Sequence, residues 1–179
     1  MYIGSIGKEW VVDGVTKHNI PQLIKIIDRY GKISTKNWTS VYEKIRTSTN
    51  TTFPGYLQHE AVIWDQELKR WLFAPRKASE KIPYDEIKDE LHGSNLLIQM
   101  NSWERITKVS TFGPFEKEFG FSSLKKIPKT THHYLVLKTR EQSVPEKIIR
   151  SKIGVIDIEG NMLSGKLLIF DFFFEFFSF

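Results

Sequence analysis

The sequence predicts an all-β fold of short strands with one short helix near residues 37–46. Three observations carry that expectation. Short apolar runs recur at roughly even spacing from residue 61 onward. Polar or glycine-containing turns such as Asp65-Gln66-Glu67-Leu68-Lys69 and Glu159-Gly160-Asn161 separate or close them. One segment reads as helix, with Trp38, Val41, Tyr42 and Ile45 at i, i+3, i+4 and i+7. Short strands at this spacing build a sandwich, a barrel or a propeller.

Taken in order, the helix has Asn37 as its candidate cap and stops in the polar run Thr47 to Thr52, before Pro54-Gly55. Ala61–Trp64 and Arg70–Ala74 then read as a hairpin around a polar loop. Asn95–Met100 and Ile106–Phe112 form a second pair across Asn101-Ser102-Trp103-Glu104. His133–Lys138 and Lys152–Ile158 complete the strand set. No strict repeat is visible, and no stretch has the composition of a linker.

The chain has 179 residues, of which 40% are hydrophobic and 26% charged, so disordered and collagen-like classes are excluded. It has no cysteine, which excludes a disulfide scaffold, thiolate metal sites and cysteine catalysis. Of its 13 phenylalanines, seven crowd into the last ten residues. Net charge is +5, and setting aside Asp171 and Glu175 of that tail leaves the body at +7. A positive surplus favours anionic partners. No basic helical stripe or aromatic–basic alternation points to nucleic acid. No signal peptide is visible, and the tail is too short to span a bilayer.

Several motifs fail on inspection. Gly4 to Glu9 lacks both the earlier glycine and the hydroxyl residue of a phosphate loop. His59-Glu60 lacks the second histidine of a zinc-protease helix, since Ile63 stands there. His132-His133 in a strand would point to opposite faces. Three features keep a functional reading. Glu60, ahead of an apolar strand, could ligate a hard cation or be a solvated strand end. Arg76-Lys77, where a strand gives way to a loop, suit phosphate oxygens. The hydroxyls of Phe121-Ser122-Ser123-Leu124 could coordinate, cap or turn the chain.

Certain segments, read together, resemble the calcium-activated nucleotidase or apyrase family. They are Gly7-Lys8-Glu9-Trp10, Asn37-Trp38, Pro54-Gly55-Tyr56-Leu57, His59-Glu60 and Arg70 to Ser79. Asp89-Glu90, Gly93, Asn95-Leu96-Leu97, Gly120 to Lys125, Ile127-Pro128 and Leu137-Lys138 extend the match. The family includes salivary apyrases of blood-feeding arthropods and vertebrate secretory-pathway relatives. The resemblance implies a five-bladed β-propeller, present here as an incomplete ring of about three blades. It implies calcium on the axis, held by one inner Glu or Ser per blade, with Glu60 and Ser122 at matching positions. It also implies calcium-dependent hydrolysis of nucleoside di- and triphosphates of the UDP, GDP and ADP class, in a secreted or lumenal compartment.

By the same resemblance Arg76, Lys77 and Lys8 serve the phosphates and Trp10 stacks on a base. Lys77 stands where the family usually has a second arginine, which keeps the charge and loses the bidentate fork. The match runs from about Met1 to Leu163 and covers roughly half the family's domain. The expected division is a partial propeller domain over 1–165 and a phenylalanine-rich tail over 166–179. The competing expectation is a non-catalytic family product that acts as a binding module.

Overall fold

The chain enters through β1 (Tyr2–Ile3), a small hairpin of β2 (Trp10–Val12) and β3 (Val15–Lys17), and then β4 (Leu23–Ile27) and β5 (Ile33–Asn37). Strands β1, β4 and β5 form one three-stranded antiparallel sheet. Helix α1 (Thr39–Ser48) leads into a four-stranded meander of β6 (Tyr56–Asp65), β7 (Arg70–Ser79), β8 (Leu96–Asn101) and β9 (Ile106–Thr111). A second four-stranded meander follows, made of β10 (Gly120–Lys126), β11 (His133–Gln142), β12 (Ile148–Asp157) and β13 (Leu168–Phe172). This is a computed structural model, and it describes residues 1–7, 10–12, 15–17, 21–85, 88–142, 148–163 and 168–172. Every strand pairing described is antiparallel, so the all-β expectation holds.

The first meander is buried on both faces. Alternation along β7 sends Leu72 and Ala74 into a core shared with Phe121, Leu124, Tyr134, Val136 and Ile156 of the second meander. It sends Trp71 and Phe73 into a second core with Ile24, Trp38, Val41, Tyr42 and Ile45. Each such large side chain contributes ~1.5–3 kcal/mol on burial. The meanders are also joined by polar links: Gln99 Nε2 donates to Ile158 O at 2.8 Å, and Tyr134 Oη to Asp65 Oδ2 at 2.5 Å.

The helix begins two residues later than expected. Trp38 takes the cap position and makes no side-chain cap bond. Asn37 still supplies cap chemistry, because its Oδ1 accepts the Thr39 N–H at 2.9 Å. Strands β6 and β7 extend further than the sequence predicts, so Arg76 and Lys77 lie within β7 and not in a loop, β8 and β9 keep their expected places to within a residue, and β4, β5 and β10 are strands the sequence does not predict. Of His132 and His133 only the latter lies in a strand, and both are exposed. From the phenylalanine-rich segment, β13 pairs with β12 through Ser151↔Phe170 and its neighbours. Residues 173–179 lie outside the described ones.

Candidate anion and cation site

Three of the site residues expected from sequence share one local cause: each is the extra residue of a β-bulge. Pairing between β6 and β7 runs Gln58↔Lys77, His59↔Pro75, Ala61↔Ala74. Arg76 is skipped on one strand and Glu60 on the other. In β10 the pairing runs Phe121↔Lys138, Ser123↔Leu137, which skips Ser122. A bulge removes one residue from the two-residue alternation and re-aims its side chain. The core contacts confirm the shift. Leu57 and Val62, five apart, face the same core, and Phe121 and Leu124, three apart, face the other.

The two bulges of the first meander bring Glu60 and Arg76 together. Arg76 Nη1 donates to Glu60 Oε2 at 2.8 Å, and its Nη2 lies 3.0 Å from Glu141 Oε1 at the end of β11. Burial works against the arginine charge, but the bond to Glu60 and the fields of both carboxylates outweigh it, so its pKa is raised. Close packing fixes the arginine's backbone. A Cβ added at Gly120 would lie 2.0 Å from Arg76 O and 2.7 Å from Arg76 Cγ, an approach only glycine permits. Arg76 O accepts the Ser94 N–H at 3.0 Å, and Gly93 N–H donates to Lys117 O at 2.6 Å.

Lys77 is buried beside the arginine. Desolvation lowers its pKa, and the nearby Asp89 offsets this only in part. Next to it, Tyr56 Oη lies 2.5 Å from Asp89 Oδ1 and 2.6 Å from His92 Nδ1. Desolvation also lowers the His92 pKa, against the pull of Asp89. Ser122 Oγ donates to Leu137 O at 3.3 Å, which leaves its oxygen lone pairs uncommitted by that bond. Among the described residues no group of three His, Cys, Asp or Glu side chains is placed to hold a metal.

His59, next to Glu60, is a packing residue as the failed zinc motif led us to expect. Its ring sits 4.6 Å from Tyr42 and 5.8 Å from Phe73, centroid to centroid, with both nitrogens buried and without hydrogen-bond partners. Burial, helped by the charge of Arg46, pushes its pKa down to about 3. The backbone N–H of His59 donates to Ile6 O at 2.6 Å, and Gly7 lies against the His59 ring, so residues 6 and 7 are moored beside the bulge. Lys8 itself lies outside the described residues. Trp10 is in β2, but its side chain is not described. Sequence reasoning missed Glu141, Tyr56, Asp89 and His92 as members of this neighbourhood. Tyr56 and Asp89 carried a signal, through the matching segments Pro54-Gly55-Tyr56-Leu57 and Asp89-Glu90.

The bulges thus gather Arg76, Lys77 and Glu60 on the first meander, with Ser122 on the first strand of the second. The family model for apyrase matches residues 1–179, and the chain belongs to the apyrase family. It is 36% identical over 166 residues to "Apyrase" of Cimex lectularius, covering 91% of this chain and 44% of that protein. It is 32% identical over 173 residues to "Apyrase apy-1" of Caenorhabditis elegans, covering 94% and 48%. It is 37% identical over 145 residues to "Soluble calcium-activated nucleotidase 1" of Rattus norvegicus, covering 80% and 36%. The chain therefore spans less than half the length of each of these relatives. No described helix is long and apolar enough to cross a membrane.

Proposed function

We propose that this chain forms part of a calcium-dependent nucleotidase that hydrolyses nucleoside di- and triphosphates of the UDP, GDP and ADP class to monophosphate and phosphate. The observation that carries this reading is the set of three bulges that re-aim Glu60, Arg76 and Ser122. Bulges concentrate beside active sites because they expose chosen side chains without unpairing the sheet. Glu60 and Ser122 each come from the first strand of a four-stranded meander. We read those meanders as successive blades of the family's five-bladed propeller, with the first strand of each nearest the axis. The resemblance to the family carries the expectation of a secreted or lumenal setting.

A carboxylate and a hydroxyl are hard oxygen donors and suit calcium, which takes about six to eight such ligands. Glu60 and Ser122 would supply two of them. When bound, the ion would act as a Lewis acid toward phosphate oxygens. Arg76 offers the Nη2 arm of its guanidinium fork to a non-bridging oxygen, and Lys77 adds a point charge. Glu60 holds one arm of that fork and thereby orients it. The reaction these groups support is attack of water on the terminal phosphorus with departure of the bridging oxygen. The negative charge that develops on the phosphoryl oxygens meets fixed cations.

The test is phosphate release from UDP, GDP and ADP with calcium or with a chelator. Calcium-dependent release is expected, with kcat/KM lowered about 100-fold in Arg76→Ala. Glu60→Ala and Ser122→Ala should each raise the calcium concentration needed for half-maximal rate. Absence of calcium-dependent release would overturn the enzymatic reading, and nucleotide binding without turnover would then mark a binding module.

A further inference from the structure

Arg76 has both ends of its fork filled before any nucleotide arrives. One amino group is held by Glu60 and the other by Glu141. The two partners differ in how freely they can leave. The Arg76 side chain is 9% exposed and that of Glu60 25%, whereas that of Glu141 is 58% exposed. Arg76 is the better anchored side of the pair, because Gly120 closes against its carbonyl and Cγ and Glu60 keeps its Nη1.

We propose that Glu141 is an internal competitor that stands in for a substrate phosphate oxygen on Arg76. The inference rests on the nucleotidase reading and adds a residue that reading does not use. A ligand reaches the second arm of the fork only by displacing the Glu141 carboxylate. A di- or triphosphate brings several charged oxygens and competes well against one carboxylate. Inorganic phosphate and a nucleoside monophosphate bring less charge and compete poorly. Every ligand of that arm pays the same displacement cost, so the exchange loosens substrate and product alike, and it returns the carboxylate to the fork as the product leaves. An exposed carboxylate suits this role because such pairs are weak enough to exchange.

Calorimetric titration of the whole chain with calcium present, using a non-hydrolysable methylene-bridged UDP analogue and inorganic phosphate as probes, decides the matter. In Glu141→Gln both probes should bind about two- to fivefold tighter, and the gain should shrink in high salt. Glu141→Ala should show at least the same gain. Glu159→Gln, which removes an equally exposed carboxylate paired with Lys108, should leave both affinities unchanged. Affinity equal to or weaker than wild type in both Glu141 variants would overturn the inference while leaving the nucleotidase reading intact. An equal gain in Glu159→Gln would overturn it too, by showing a general charge effect. Failure of the unaltered chain to bind the analogue would remove the nucleotidase reading and the inference with it.

Discussion

Strand β6 carries two carboxylates with opposite circumstances. Asp65 closes the strand and is saturated: it accepts Tyr134 Oη at 2.5 Å, Lys126 Nζ at 3.0 Å and the N–H groups of Glu67 and Leu68. Burial alone would raise its pKa, but the bond from Tyr134, followed by those from Leu68, Lys126 and Glu67, outweighs this and leaves it lowered. Glu60 is the exposed residue of the same strand, and it has a guanidinium that it shares with another acid. A fully satisfied buried carboxylate has no capacity left for a ligand and acts as a staple between sheets. A partly exposed one with a shared partner can exchange that partner, which is what binding requires. Saturation and sharing separate the structural acid from the functional one.

The largest effect that could break this contrast is at Asp65. Asp65→Ala strands the Tyr134 hydroxyl and the turn's N–H groups between the two meanders, and should cost ~3–5 kcal/mol of stability, as removal of one member of a buried charged network does. Denaturant midpoints measure it. A loss under about 1 kcal/mol would mean the network is not a staple. Glu60→Gln should cost no more than about 1 kcal/mol in the same experiment, since its amide still accepts from Arg76 and its site is open to water. It should nevertheless raise the calcium concentration needed for half-maximal rate.

Acid provides the next test, because two groups on β6 titrate differently. The folded pKa of His59, about 3, lies below its ordinary value of 6.5, so the unfolded chain takes up a proton that the folded one refuses. Stability from this source is present above pH 6.5 and is lost as pH falls from there toward 3, with a slope of about one proton. Asp65, depressed below 3.8, contributes stability that is complete above that value and declines only at lower pH. In His59→Phe the decline between pH 6.5 and 4 should flatten, while the steeper loss below pH 4 persists. Stability curves by urea titration at several pH values would show the reverse if His59 were held charged in the fold.

The same bulges explain what could and could not be read from the sequence. Where pairing is unbroken, as in Arg70–Ala74, the apolar run reads as a strand. Where Glu60, Arg76 and Ser122 drop out of register, alternation breaks, so β6 and β7 looked shorter and β10 did not look like a strand. Strand β5 escaped for another reason: all five of its residues are exposed, so no buried face imprints a pattern. At the site, Glu60, Arg76-Lys77 and the Ser122-Ser123 hydroxyls stand out one by one as residue types, and only the family resemblance joins them into one site. The meeting of Arg76 with Glu141 was not legible, since it joins strands of different sheets and leaves no trace in local spacing.

The smallest predicted effect sharpens the contrast from within the staple. Lys126 reaches two acids, buried Asp65 and, at 2.8 Å, Glu67, whose side chain is 62% exposed. If exposure rather than bond length governs worth, Glu67→Gln should cost under ~0.5 kcal/mol, and 0.5 M salt should erase the difference. Lys126 retains Asp65 in that variant, so no buried charge is left alone. A double-mutant cycle between Glu67→Gln and Lys126→Met isolates the pair from the rest of the network. A coupling well above 1 kcal/mol would show that the staple extends to the surface, and that exposure is a poor guide to which of this protein's acids can exchange partners.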